Sequence, residues 1–315
     1  MRNRWFIALA AIGLHISIGS VYAWSVLTRP IMADMGFTLS QTTWTFSLAI
    51  LILGLSAGFL GSFAEKIGPK KSGLLAMLFW VTGLLGTAYA LSIHNLTLLY
   101  LFYGIIGGIG LGIGYITPVS TLVKYFPNRP GFATGLAIMG FGFASLIAGP
   151  LMQYLVAQVG LVDTFIILGV IYLVIMSASS LYLKAPQPKH PTRTTKDKST
   201  MYVHTHGMLA NDAMKTWQFG ALWWVFFINI TCGIGLLSLA SPMAQEAIGM
   251  TPTAAASLVG IIGIFNGGGR IAWSTISDYL GRAQTYILFF IIQIIAFYLL
   301  AETNSVLTFQ ILILL

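Results

Sequence analysis

An all-α polytopic membrane protein is the fold class this sequence predicts, and three observations predict it. Of its 315 residues, 57% are hydrophobic and only 8% are charged, against roughly 25% charged in a soluble domain. The apolar residues gather in runs of about 20, the length a helix needs to cross a bilayer. Fourteen of the sixteen lysines and arginines then fall on one side of those runs, as the positive-inside rule requires of short loops. A chain this apolar cannot stay soluble or disordered. Its net charge of +8 is mostly topology, so no nucleic-acid partner is expected.

The first span is expected at 5–27, after Arg2 and Arg4. Val21-Tyr22-Ala23 could pass for a signal-peptide cleavage site, but the further spans argue for a retained helix. Arg29 and Asp34 place the next loop outside, and 41–63 returns inward to Lys66, Lys70 and Lys71. Spans at 73–92 and 97–123 follow. Gly104, Gly108 and Gly112 recur in the latter at four-residue steps, which makes a small-residue face for close helix packing. Its glycine strings imitate a dinucleotide fingerprint, yet no strand precedes them and no acid follows at the right distance. Spans five and six are expected at 132–157, with a bend at Gly149-Pro150, and at 164–183.

Residues 184–219 are polar, basic and Pro-rich, and read as a cytoplasmic linker between an N-terminal half (1–183) and a C-terminal half (220–315). His204 and His206 within it lack the third ligand that a metal site needs. The second half supplies spans at 220–243, 253–276 and 284–301, and a tenth run begins at Val306. A matching six-span half would extend to about residue 400. The C-terminal half is therefore expected to be incomplete, and the 315-residue chain alone to transport poorly or not at all. Cys232 has no partner for a disulfide, and neither a metal nor a cofactor is expected.

The loop after span two contains Glu65, Lys66 and Gly68, and the loop after span eight contains Asp278, Gly281 and Arg282. Glu65 superposes on Asp278 and Gly68 on Gly281 at one offset, which points to a six-span repeat. An acid and cations at a tight Gly turn can form interhelical ion pairs that latch a cytoplasmic conformation, or can simply hold a charged loop inside.

These loops resemble the Gly-x-x-x-Asp-Arg-x-Gly-Arg signature of the major facilitator superfamily, with Glu65 and Pro69 as departures. Four further stretches resemble the oxalate/formate antiporter family. They are Gly19-Ser-Val-Tyr22-Ala-Trp24, Gly114-Tyr115-Ile-Thr117-Pro118, Phe126-Pro-Asn-Arg129-Pro-Gly131 and Phe265-Asn266-Gly-Gly-Gly-Arg270. The resemblance implies the major facilitator fold and a multi-pass carrier in the cell membrane with a cytoplasmic N-terminus, monomeric and not an enzyme. It implies small carboxylates such as oxalate, formate, lactate or pyruvate as substrates, moved by exchange or with protons. It also implies that Arg270 is the carboxylate-binding arginine, paired in the family with an eleventh-span lysine that lies beyond this sequence.

On the residues alone, Arg270 is the outstanding candidate. A charge in a span costs about 2.5–3.5 kcal/mol on insertion scales, and the spans contain no acid to neutralise it. An anionic substrate can, through two parallel hydrogen bonds. The alternative is an arginine that snorkels to the cytoplasmic surface. Tyr22, Trp24, Tyr115 and Asn266 sit in the family-like stretches, the three aromatics either as hydrogen-bond donors to a small anion or as packing. His15, near the middle of span one, either takes part in proton coupling or bonds to a neighbouring backbone. A receptor and an intramembrane enzyme are the competing classes, but no large ligand domain and no paired catalytic groups are visible.

Overall fold

The computed structural model describes residues 3–127, 130–186, 210–303 and 305–314. Arg2, Arg129, His204, His206 and most of the expected linker lie outside the described residues. The chain divides into two compact units, Met1–Ala185 with Leu237–Leu315, and Pro186–Leu236.

Every described element is helical. Helix α1 (Arg4–Gly19) passes through a 3-10 turn at Ser20–Ala23 into α2 (Trp24–Met35). Helix α3 (Leu39–Ile67) opens on a capping box in which Thr38 and Gln41 satisfy each other's backbone N–H groups. Helix α4 (Pro69–Ser92) starts on proline, whose missing N–H is no loss at that position. The fourth crossing combines α5 (Leu96–Leu99), a π-helical stretch at Tyr100–Gly107 and α6 (Gly108–Tyr125). Helix α7 (Pro130–Tyr182) has 53 residues, about 80 Å of helix at 1.5 Å per residue. It is broken at Gly160, where φ is 81° and ψ 177°, so it makes two crossings. That break falls between the spans expected at 132–157 and 164–183, and the chain stays helical through Pro150. Proline removes a single helical hydrogen bond, whereas Gly160 leaves the helical region altogether. After α8 (Ala210–Ala213) come α9 (Trp217–Glu246), α10 (Pro252–Leu280), α11 (Arg282–Glu302) and α12 (Val306–Leu314). Within the second unit, α9 carries Trp223 and Phe227 stacked at 5.0 Å between ring centroids.

Lipid is as apolar as leucine, so helices in a membrane associate by close packing. The expected glycine face of α6 does this. A Cβ at Gly104 would meet Leu48 at 2.9 Å, one at Gly108 would meet Ile52 at 2.7 Å, and one at Gly112 would meet Ser56 at 2.5 Å. One helical turn on α6 thus matches one on α3. The same device joins α7 to α10, which run antiparallel in contact. Gly135 packs against Arg270 O and Ile271, Gly142 against Gly267, and Gly149 against Ala256 O and Gly260. These glycines recur every seven residues, a period that keeps one seam of α7 on its neighbour.

The two aligned turns have matching backbones. Gly68 has φ 82° and ψ 162°, and Gly281 has φ 92° and ψ 148°. Each closes one helix and opens the next, accepting from the N–H four residues on, Ser72 and Thr285 respectively. This backbone region is nearly exclusive to glycine, and a side chain there costs about 1–3 kcal/mol. Replacing Gly281 by Ala is therefore expected to lower the thermal unfolding midpoint in detergent by several degrees. Gly54→Ala, on an open helical face, should leave it unchanged or raise it. Equal midpoints for the two variants would refute the requirement.

The expected latch residues are only partly joined. Lys124, at the end of α6, donates to Glu65 at 3.3 Å, with both side chains about half exposed. Glu65 thus makes an ion pair between helices, within its own half. Arg282 donates to Ser277 Oγ and, at 3.5 Å, to Ser274 O. The Asp278 side chain lies outside the described residues.

Candidate functional site

Arg270 sits ten residues before the end of α10, about 15 Å along the helix. It is deeper than the expected span limits imply, and its side chain turns inward. Arg270 Nε donates to Asn266 Oδ1, one turn earlier, at 3.2 Å. Nη2 donates to the Tyr22 hydroxyl at 3.4 Å, and the guanidinium also reaches the Tyr115 hydroxyl. Its carbon lies 5.9 Å from the centroid of Phe141, within cation–π range. Among the described residues no carboxylate pairs with it.

Four elements deliver these groups. The 3-10 turn between α1 and α2 tightens the backbone at Tyr22. Tyr115 comes from α6, three residues before Pro118. Phe141 comes from α7, and α10 supplies Asn266 and Arg270. Phe141 is the hub of the cluster, with Tyr22 at 4.7 Å, Tyr115 at 5.4 Å and His15 at 6.1 Å, all edge-on. Tyr22 accepts from arginine through its oxygen, so its phenolic hydrogen remains available to a ligand, and Tyr115 stands close enough to interact with the same guanidinium.

His15 lies behind this layer and is fully buried. Its ring faces Tyr115 at 5.4 Å between centroids. Nε2 is 3.0 Å from the Tyr115 carbonyl oxygen, and Nδ1 is against the Ala137 carbonyl oxygen.

Five of the six expected site residues therefore converge: Arg270, Asn266, Tyr22, Tyr115 and, in the layer behind, His15. Trp24 does not. It is wholly buried against Tyr103, 4.3 Å away, and Tyr103 in turn lies 5.6 Å from Trp80. Two residues after Tyr22 on a tight helix, its side chain points nearly opposite. Phe141 was the residue that sequence reasoning missed. Its signal is Gly140-Phe141-Gly142, an aromatic ring between two glycines. Gly140 admits Ile12 and His15 of α1 on one side and Gly142 admits Gly267 of α10 on the other, so Phe141 can stand where the helices meet.

A second contact lies at the other end of these helices. Arg29, on α2, donates to Glu246 at 2.9 Å and to Gln245 at 3.2 Å, both on α9. The one basic residue expected outside is thereby paired with one of the four acids, Asp34, Asp163, Glu246 and Glu302, that the same topology expects there.

Long apolar helices around a buried cation define a polytopic helical membrane protein with an anion-ready interior. The sequence profile described as Major Facilitator Superfamily matches residues 6–315, and the chain belongs to that superfamily. It is 30% identical to the uncharacterised MFS-type transporter YhjX of Escherichia coli K12, over 97% of this chain and 74% of that one. It is 27% identical to the oxalate:formate antiporter of Oxalobacter formigenes, over 90% of this chain and 65% of that protein's length. Its fold matches the crystal structure of an inward-facing, unoccupied bacterial homolog of the human lysosomal transporter Spinster. The TM-score is 0.66 at 16% identity, covering 99% of this chain and 72% of the other. The fold is thus the all-α major facilitator fold, in a multi-pass membrane protein.

Proposed function

We propose that this protein is a secondary transporter of small carboxylates, held at Arg270 and moved by alternating access. One observation carries the reading: a guanidinium deep in a span, oriented by Asn266, Tyr22 and Tyr115, with no protein carboxylate beside it among the described residues. A permanent cation in a low-dielectric interior needs an anion, and a guanidinium matches a carboxylate in shape. The likeness to an oxalate:formate antiporter supports the same substrate class. Oxalate, formate, lactate and pyruvate are the compounds to try.

Alternating access requires contacts that close one side and can part again. The Arg29–Glu246 pair is suited to close the outer side, because half-exposed ion pairs are weak enough to break. In this reading the N-terminus is cytoplasmic, which the distribution of lysines and arginines supports, and the membrane is the cell membrane, as the family resemblance implies. A monomer in the bilayer suffices for this scheme.

Saturable uptake of labelled oxalate, formate or lactate into proteoliposomes made with the full-length protein is the expected result. Uptake equal to that of protein-free vesicles for every compound would reject the carrier reading. Binding without uptake would favour a receptor, and chemical conversion of the compound an enzyme.

A further inference from the structure

We infer that His15 is a proton-binding site linked to carboxylate binding at Arg270, so that each monocarboxylate is taken up together with one proton. This rests on the carboxylate reading above and adds the coupling ion to it.

The argument begins from the two ring nitrogens. Nε2 lies 3.0 Å from the Tyr115 carbonyl oxygen, and Nδ1 faces the Ala137 carbonyl oxygen. A carbonyl oxygen only accepts hydrogen bonds, whereas a neutral imidazole has one N–H and one bare lone pair. In the neutral ring one nitrogen therefore confronts an acceptor with nothing to donate. The imidazolium has two N–H groups and satisfies both carbonyls. The surroundings are shaped for a doubly protonated ring, and they are rigid, because each carbonyl belongs to a helix, α6 or α7.

Burial, the two carbonyls and the charge nearby all act on that second proton, and of these only the charge changes when a ligand binds. Helix α1 packs against α6, α7 and the turn at Ser20–Ala23. Helix α6 presents Tyr115 to the histidine, and the turn contributes Tyr22. Residues 130–150 of α7 contain no titratable side chain, and there the neighbouring ring is Phe141. The one charged group is Arg270 of α10, which shares Tyr115 and Phe141 with His15 and acts on it through space. No acid faces the ring among the described residues. Two cations in this interior repel each other while the site is empty. A carboxylate on Arg270 cancels one of them, and the second proton can then remain on His15. By linkage the effect is mutual, so a proton on His15 tightens carboxylate binding by the same factor. Anion and proton together leave the charge of the empty site unchanged, which suits a load that must cross hydrocarbon.

Proton uptake on binding tests this directly. The full-length protein in detergent and weak buffer, with a pH indicator dye, is titrated with lactate or formate at neutral pH. The expected result is about one proton taken up per monocarboxylate bound, with affinity falling about tenfold per pH unit on the alkaline side. At saturating ligand, His15→Gln should bring the ratio of protons to ligand close to zero, because glutamine cannot take up a proton. Ring-15N-histidine spectra provide a second reading without relying on that variant. One of the five histidines should change from the neutral to the imidazolium pattern when lactate is added. Binding by the unaltered protein with no proton uptake would overturn the proposal and leave the carboxylate reading standing. So would an undiminished proton ratio in His15→Gln. Absence of saturable monocarboxylate binding by the unaltered protein would overturn the proposal, and absence of oxalate binding as well would overturn both.

Discussion

Replacing Arg270 by Gln is expected to weaken carboxylate binding by roughly 30-fold to several thousandfold. Truncating one partner of a buried charge pair costs about 2–5 kcal/mol, and each 1.4 kcal/mol is tenfold in affinity. Glutamine can still donate a hydrogen bond in that direction but brings no countercharge. Lysine should recover part of the loss, since it restores the charge without the two-pronged geometry. The fold should survive, because the change removes a cation from the membrane interior. The measurement is ligand protection against thermal unfolding in detergent, with the Arg270, Gln and Lys forms compared side by side. Equal protection in all three would return Arg270 to the role of an interfacial anchor.

Gly142→Ala is the second change expected to be severe, although it adds only one methyl group. A Cβ at Gly142 would stand 2.5 Å from Gly267 Cα and 2.9 Å from Asn266 Oδ1. The first contact is backbone against backbone, so no side chain can swing away and α7 must separate from α10. Overpacking of this kind costs about 1–3 kcal/mol. The second contact displaces the oxygen that accepts from Arg270 Nε, so the arginine loses its orientation as well. A loss of about tenfold to 100-fold in carboxylate affinity is expected, together with a lower unfolding midpoint without ligand. Gly58→Ala, with open space around its Cβ, is the control. Unchanged affinity in Gly142→Ala would show that the seam does not position the site.

Much of this architecture is legible in the chain because membrane insertion is read segment by segment. Each crossing is a local sum of transfer free energies, and each loop is oriented by its own lysines and arginines. The four-residue glycine steps of α6 were equally readable, since a helix places i, i+4 and i+8 on one face. Arg270 stood out for the same local reason, a charge where charge is expensive. The π-helical stretch at Tyr100–Gly107 was not legible, because π and α segments have the same composition and differ only in hydrogen-bond register.

Two comparisons show where local reading ends. Tyr22 and Trp24 share one family-like stretch and one short turn, yet Tyr22 reaches Arg270 and Trp24 is buried against Tyr103. Glu65 is expected to pair between helices, yet nothing in its own loop names the partner, which is Lys124, 59 residues away. In a soluble helix a polar face reveals which side looks outward. Here lipid and protein interior are equally apolar, so a span carries little record of its rotation about its own axis. Composition therefore determined the number and length of the crossings, and that a cation lay within one of them. Only the packed structure decided which way each helix turns. The close glycine contacts of α7 with α1 and α10 set Phe141 at their junction, and around that ring Tyr22, Tyr115, His15 and Arg270 become one site.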